Sequence, residues 1–317
     1  GNKFLKDWGF ETVIFSLLIG LFISNIFYIP KWLKESLSSE LFVKIGLVLL
    51  GTTVLFDDLL KAGALGLIQS CVVVFTVWNF CFWLCRKMKI DKEMSLMLSS
   101  AVSICGVSAA VATAGAIKGD KTKLSYVVSL VLVVAVPMIL IMPGLAKLMG
   151  LPEDMAGAWI GGTIDTTGAV AATGAIYGEV ALQTSTIVKF SQNVLLGVAA
   201  FLISIYWSYS KKEVTEEKPT LKVIWLRFPK FVLGFVAASL VFSFCVAPEV
   251  VSDAKPILKN IQGMWFALAF MSIGLETDFK SLITSENRRS TYAFLGAQAF
   301  NVVFTLFVAW ILFGLIA

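Results

Sequence analysis

The sequence contains 317 residues, of which 58% are hydrophobic and 15% are charged, and its mean hydropathy is +0.85. A soluble domain has about 45–50% apolar and about 25% charged residues, so the composition excludes a soluble globular protein and predicts an all-α polytopic membrane protein in the lipid bilayer. The net charge of +5 does not indicate a nucleic-acid partner, because the basic residues lie in loops between apolar runs, where membrane orientation places them.

Apolar runs of about 20 residues, long enough to cross a bilayer of about 30 Å, recur along the chain. In chain order they are Glu11–Pro30, Glu40–Phe56, Gly63–Cys85, Glu93–Lys118, Leu124–Leu148, Asp154–Tyr177, Val180–Tyr206, Phe228–Ala247, Ile257–Phe279 and Ser290–Ile316. We therefore expect about 10 membrane segments in a single transmembrane, transporter-like domain that covers residues 1–317. The polar stretch at 209–227 is predicted to be a linker between two segments.

The fourth and sixth segments are poor continuous membrane helices, because glycine and hydroxyl residues interrupt them. Ala110–Asp120 reads AVATAGAIKGD and Ala169–Glu179 reads AVAATGAIYGE, with seven of eleven positions identical. Paired glycine-interrupted segments in a hydrophobic chain point to a transporter's binding site. We predict two glycine-broken helices, re-entrant or discontinuous, with breaks near Ile104–Ser108 and Thr163–Gly168. Close helix packing by small residues remains the alternative.

The order of the segments favours inverted repeats, with halves at approximately 11–149 and 152–316. The first three segments would pair with the last three, since Leu50–Leu59 reads LGTTVLFDDL and Ile273–Leu282 reads IGLETDFKSL. If all segments cross, the loops divide Lys and Arg sixteen to eight between the two sides, whereas two re-entrant hairpins from opposite faces divide them eighteen to six. The re-entrant topology fits the positive-inside rule better, and full crossing is the alternative.

The chemistry expected at the breaks is anion binding. The second half of each broken helix would begin at mid-membrane, where its free N–H groups and positive dipole end favour an anion. An intramembrane lysine is costly and by default functional, and Lys189 lies inside an apolar span. The predicted substrate-binding residues supply backbone groups, hydroxyls, amides and charge, and they are Ser103, Gly106, Ser108, Thr163, Asp165, Thr166, Thr167, Gly168, Lys189, Gln192 and Asn193.

Asp165 leaves a second hypothesis open. It could pair with Lys189, bind Na⁺ as a ligand or carry a proton, as in a cation carrier or antiporter coupled to Na⁺ or H⁺. Lys189 could instead snorkel or close a structural ion pair. An ion channel is a further alternative. The chain contains no histidine, no nucleotide loop and no metal-ligand cluster, so we expect no enzyme activity, no cofactor and no metal apart from a Na⁺ at Asp165.

Four motifs resemble the YeiH family, which are bacterial inner-membrane proteins commonly labelled as sulfate exporters. The motifs are SICGVSAAVAT at Ser103–Thr113, IGGTIDTTGAVAATGAI at Ile160–Ile176, KIGLVLLG at Lys44–Gly51 and MSIGLETDFKSL at Met271–Leu282. The resemblance runs over nearly the whole chain. It implies a multi-pass, transporter-like homodimer with inverted repeats in the bacterial cytoplasmic (inner) membrane.

The chain departs from that family in two places. Many members carry a His-Glu pair where this sequence has Asp165-Thr166, so a coupling role assigned to that pair does not carry over. Members also tend to have one more hydrophobic segment before Glu11, and we expect a truncated or divergent N-terminus here. Together these observations predict a secondary transporter, an exporter or exchanger, of a small inorganic or organic anion such as sulfate, bound between the two broken-helix tips.

Overall fold

The structure is a computed structural model that describes residues 12–27, 30, 38–54, 56–211, 225, 228–276 and 288–316. Within these ranges the chain folds into twelve α-helices, three of which are followed directly by a short π-helix. The α-helices are α1 (Thr12–Ile26), α2 (Ser39–Gly51), α3 (Phe56–Lys87), α4 (Lys92–Ser100), α5 (Val107–Ile117), α6 (Lys121–Leu148), α7 (Glu153–Thr163), α8 (Thr167–Tyr177), α9 (Glu179–Lys211), α10 (Phe231–Leu240), α11 (Pro248–Glu276) and α12 (Arg288–Ala309). The π-helices are Ala101–Cys105, Val241–Cys245 and Trp310–Ile316.

The prediction of an all-α membrane protein is confirmed. The described residues contain no β-strand. Four of their helical stretches are long and apolar enough to cross a membrane, and these are Leu59–Lys87, Lys121–Leu148, Glu179–Trp207 and Arg288–Leu315. Shorter apolar helices lie at Phe15–Ile26, Val107–Ile117 and Phe231–Cys245. The total of about 10 membrane segments stays a prediction. Most of the 209–227 linker and residues 277–282 of the second repeat copy lie outside the described residues.

One set of helices, called here the small group, consists of α1, α2, α10 and α11. Helix α11 packs along α1 and α2, and α10 packs on α2. Helices α1 and α11 approach each other closely where Gly20 faces Gly274. A Cβ atom on Gly20 would overlap the Met271 carbonyl oxygen, and a Cβ on Gly274 would overlap the Leu17 carbonyl oxygen. Only glycine therefore permits this backbone contact between the two helices.

The remaining helices form the large group, in which α9 is the central member. Helix α9 packs against α3, α5, α7 and α8, while α12 packs against α3 and α7. Gly157 and Gly161 of α7 lie against backbone atoms of Ala181 and Ser185 on α9. These glycines serve close helix packing, which accounts for part of the glycine-rich pattern in the sixth predicted segment.

Helix α8 connects the two groups, because it packs on α9 in the large group and also contacts α1, α2 and α11 in the small group. A cavity opens where the groups face each other. Its walls come from α2, α10 and α11 on one side and from α5, α6, α8 and α9 on the other. The broken segments therefore border the junction between the two groups.

Candidate functional site

The first interruption lies between α4 and α5. Helix α4 ends at Ser100, the π-helix Ala101–Cys105 follows, and Gly106 then adopts a φ of 61° before α5 begins. This backbone conformation is unfavourable for any residue with a Cβ. A Cβ on Gly106 would also lie 2.8 Å from Val131 Cγ1 and 3.2 Å from Asp165 Cβ. The glycine thus allows the first interruption to pack directly against the second.

The second interruption lies between α7 and α8. Helix α7 ends at Thr163, and Ile164 and Thr166 have extended backbones. Thr166 caps the new helix, since its hydroxyl oxygen accepts a hydrogen bond from the Ala169 N–H at 3.2 Å. This is the usual role of threonine at a helix N-cap. The interruption therefore produces two helix ends that face each other, the C-terminus of α7 and the N-terminus of α8.

Lys189 of α9 joins the carbonyl groups that the two interruptions expose. Its side chain is only 1% exposed, and its ammonium donates to the carbonyl oxygens of Ile104 at 2.6 Å and Ile164 at 2.8 Å and to Gln192 Oε1 at 2.8 Å. Gln192 Nε2 in turn donates to the Gly162 carbonyl at 3.1 Å. A cation near helix C-termini is electrostatically favourable, so Lys189 satisfies chain ends that would otherwise be unpaired in an apolar interior.

Helix α12 contributes to the same cluster from the opposite side. Asn301 Nδ2 donates to the carbonyls of Val102 at 3.2 Å and Thr163 at 3.1 Å, and Gln298 Nε2 donates to Thr163 at 3.0 Å. Thr305 holds Asn301 through a hydrogen bond of 2.8 Å to its Oδ1. We call the carbonyls of residues 102–104 and 162–164, with the side chains that bind them, the carbonyl cluster.

The sequence prediction missed Gln298 and Asn301. A signal for them existed, because two amides three residues apart lie on one face of an otherwise apolar helix. Their partners are 135–199 residues away in sequence, so the local pattern could not identify what they bind.

Asp165 lies beside the carbonyl cluster with no hydrogen-bond partner among the described residues. Its side chain is 2% exposed, and neither carboxylate oxygen has a partner. The hydrogen-bonded pair with Lys189 that the sequence left open is therefore absent from the structure. An unpaired carboxyl in this setting is costly to keep charged, so the group is suited to bind a cation or a proton.

The cavity lies at the N-terminal ends of α5 and α8, the helices that follow the two interruptions. It has a volume of about 820 Å³ and is lined by Val107 and Ser108 in the first turn of α5 and by Thr166, Thr167 and Gly168 at the start of α8. Helices α5 and α8 each contain 11 residues, and their first N–H groups and positive dipole ends lie at this cavity. The arrangement favours a negatively charged group there.

Asn193 adds a polar group to the same wall. It is 5% exposed, and its Nδ2 donates to the Thr167 hydroxyl at 3.2 Å. Its Oδ1 has no partner among the described residues. If the amide is turned, Oδ1 accepts from the Thr167 hydroxyl and Nδ2 becomes the donor that faces a ligand in the cavity.

The wall contributed by the small group carries charged residues that the sequence prediction missed. Glu40, Lys44 and Lys230 line the cavity. Lys44 forms an ion pair of 2.7 Å with Glu40, and its ammonium lies 5.7 Å from the centre of the Phe231 ring. Lys44 lies near the start of the second predicted segment, and only the packing of the two groups brings it to the cavity.

The structure divides the predicted site residues into two sets. Those that line the cavity are Ser108, Thr166, Thr167, Gly168 and Asn193. Those that lie in or beside the carbonyl cluster are Ser103, Gly106, Thr163, Asp165, Lys189 and Gln192. Within the described residues, no group of three or more acidic or cysteine side chains could hold a metal ion.

Comparison with known proteins gives one family match. The model described as "Conserved hypothetical protein 698" matches residues 3–293. A UPF0324 membrane protein of Rhodopirellula baltica is 39% identical over 100% of this chain and 60% of the relative, and one of Nitratidesulfovibrio vulgaris is 38% identical over 98% of this chain and 56% of the relative. A third, from Nitrosomonas europaea, is 30% identical over 89% of this chain and 66% of the relative.

The chain thus spans 56–60% of the length of the relatives from Rhodopirellula baltica and Nitratidesulfovibrio vulgaris. Their names describe membrane proteins and state no substrate. No solved structure gives a significant match.

Proposed function

The chain belongs to the UPF0324 membrane protein family, the same family as the YeiH proteins, and from this membership and the geometry of the cavity we propose that it is a secondary transporter of a small anion. One observation carries the proposal: the N-termini of two interrupted helices line a single cavity between two helical groups. Interrupted membrane helices whose N-termini face a cavity are a recurrent way to bind anionic groups in transporters.

In this proposal the anion binds at the first turns of α5 and α8. Backbone N–H groups and the hydroxyls of Ser108, Thr166 and Thr167 serve as donors. Lys44 and Lys230 together outnumber the single carboxylate of Glu40 on the facing wall, so that wall carries a net positive charge. Lys189 acts indirectly. Its hydrogen bonds connect the C-terminal ends of the helical segments that precede α5 and α8, and they thereby fix the angle at which the N-termini of α5 and α8 enter the cavity. Its ammonium is fully used by protein acceptors.

Transport follows from movement of the small group against the large group. Alternating access in such carriers is largely a rigid-body motion around a fixed site, and the cavity lies between the two bodies. The full proposal includes inverted repeats over about 10 segments, two re-entrant half-helix pairs, a homodimer, and residence in the bacterial cytoplasmic membrane. The topology is supported by the eighteen-to-six division of basic residues.

The binding proposal is tested with purified protein in detergent at low ionic strength. A bound anion stabilises the folded state by mass action, so sulfate should raise the melting temperature in a concentration-dependent way. Ser108→Ala removes a hydroxyl at the cavity and should weaken binding by about 2- to 12-fold, the value of one hydrogen bond of about 0.5–1.5 kcal/mol. Ser129→Ala is the matched control, because Ser129 lies on α6 and does not line the cavity.

Two results would contradict the proposal. One is the absence of stabilisation by any small anion. The other is equal binding by Ser108→Ala and Ser129→Ala at every anion tested. Exchange of labelled anion across proteoliposomes then separates a carrier from a channel, since a channel passes ions far faster than a carrier cycles.

A second candidate function is a carrier coupled to Na⁺ or H⁺ through Asp165. The observation that favours it is the buried carboxylate with two unpartnered oxygens, a type of group that by default marks an ion pathway within a membrane. Stabilisation by Na⁺, or a pH-dependent shift, that disappears in Asp165→Asn would favour this candidate. The two functions are compatible, because the coupling ion and the anion would occupy different sides of the same interruption.

A further inference from the structure

The cavity is much larger than a bare inorganic oxyanion needs. Its volume is about 820 Å³. Cavities of about 300–1,000 Å³ are typical of sites that enclose whole organic ligands. A tetrahedral oxyanion of five heavy atoms would fill only a small part of this space.

The polar groups are concentrated, and the rest of the wall is apolar. Serine, threonine and asparagine side chains meet at the N-termini of α5 and α8, and Lys44, Lys230 and Glu40 lie on the small group. Between them the lining is aliphatic, with Val43, Val107, Val128, Leu132, Ile139 and Ile273. These side chains offer no hydrogen bonds to a small hydrated anion, and burying a charge against them is unfavourable.

An anion that carries an apolar body matches this wall. Its charged head can bind the N-termini of α5 and α8, and Asn193 Nδ2 once the amide turns so that Oδ1 accepts from the Thr167 hydroxyl, while its body covers the aliphatic side chains and displaces water. Building on the anion-transport function proposed above, we propose that the ligand is an amphipathic organic anion, a carboxylate or sulfonate with an alkyl or aryl body, and that free inorganic sulfate is a poor fit.

A homologous series of ligands tests this inference. The probes are sodium sulfate and the linear alkanesulfonates from methanesulfonate to hexanesulfonate, with dissociation constants measured by isothermal titration on the purified protein. Apolar burial contributes about 0.8 kcal/mol per methylene, so each added methylene should lower the dissociation constant about fourfold. Sulfate should bind more weakly than butanesulfonate.

A pair of isosteric double variants assigns the chain-length effect to the cavity. Val111→Thr/Val128→Thr places two hydroxyls on the apolar wall and should weaken hexanesulfonate binding by about 4- to 16-fold while leaving methanesulfonate within about twofold. Val72→Thr/Val198→Thr makes the same change at two exposed positions that do not line the cavity. Threonine is tolerated in such helices, because its hydroxyl bonds to a carbonyl in the preceding turn.

The outcomes separate this inference from the function on which it rests. Chain-length dependence that falls in the cavity variant and not in the control supports the inference. Binding of sulfate with no dependence on chain length overturns it and leaves the anion transporter standing. Absence of binding by sulfate and by every sulfonate overturns both. A copurified anionic lipid seen by native mass spectrometry, and not displaced by hexanesulfonate, would also overturn it.

Discussion

Lys189→Met gives the sharpest test of the carbonyl cluster. The substitution keeps the length and apolar volume of the side chain but removes the donor from three buried acceptors, the carbonyl oxygens of Ile104 and Ile164 and Gln192 Oε1. An unsatisfied buried acceptor costs about 1–3 kcal/mol, so the loss is about 3–9 kcal/mol if none finds a new donor. Burial of the ammonium itself is unfavourable, and methionine relieves that cost, which points to the lower end of this range.

A loss of about 3 kcal/mol at the lower end corresponds to a fall of at least about 6 °C in melting temperature, at about 2 °C per kcal/mol for a chain of this size. Intrinsic tryptophan fluorescence follows unfolding of the purified protein at one fixed scan rate. Lys44→Met is the matched control, because its ion pair with Glu40 is exposed and is worth about 0–1 kcal/mol.

The two variants should have different effects on stability and on anion binding. Lys189→Met should lower the melting temperature strongly, whereas Lys44→Met should change it little and weaken anion binding. A melting temperature for Lys189→Met within about 2 °C of the wild type, or no lower than that of Lys44→Met, would refute the assigned hydrogen bonds.

Three further predictions concern other parts of the chain. Gly106→Ala should lower the unfolding free energy by about 1–3 kcal/mol because of its positive φ and close neighbours. Gly144→Ala, with nothing within 4 Å of the added Cβ, should raise the unfolding free energy by about 0.5–1 kcal/mol. Equal changes in the unfolding free energy of the two variants, measured by chemical denaturation, would contradict this prediction. Asp165→Asn should not lower the melting temperature, since its carboxylate has no partner, but should remove any shift caused by Na⁺ or pH, and a persistent shift would exclude Asp165 as the ion site. Partial burial raises the pKa of Asp91, but the hydrogen bond and charge of Lys123 together with the backbone N–H groups of Met94 and Glu93 outweigh it, and they hold the pKa below its ordinary value. The stabilising contribution of Asp91 is therefore complete above about pH 5 and is lost as the pH falls through the folded-state pKa, so acid melting curves of wild type and Asp91→Asn should converge at the lowest pH.

The positions of the interruptions could be predicted from local sequence, because they depend on residues that end helices. Glycine at position 106 and the hydroxyl pair at Thr166 and Thr167 are signals of this kind, and the helices end and begin beside them. The all-helical membrane class followed from composition alone. The number of crossings and the re-entrant topology remain predictions, since they depend on where the bilayer lies.

The partners of the interruptions could not be predicted, because they depend on tertiary packing. Lys189 is an obvious candidate for a functional residue because it lies in an apolar span. Its sequence context, however, fits a charge that binds an anion as well as it fits a donor to backbone carbonyls. Its hydrogen bonds span 25 and 85 residues. The position of Lys44 at the cavity likewise appears only when α2 faces α5 and α8. Local patterns identify costly residues, and the fold decides what satisfies them.

The two ends created at each interruption are treated differently, and this difference is the physical basis of the proposed site. The C-terminal ends of α7 and of the π-helix after α4 are closed by Lys189, Gln192, Gln298 and Asn301. The N-terminal ends of α5 and α8 lie at a cavity. An unsatisfied carbonyl end would repel an anion, whereas an open N–H end attracts one. Closing the carbonyl ends with amides and an ammonium therefore removes their repulsion of an anion and leaves the N–H ends to act on the cavity, even though Lys189 does not line it.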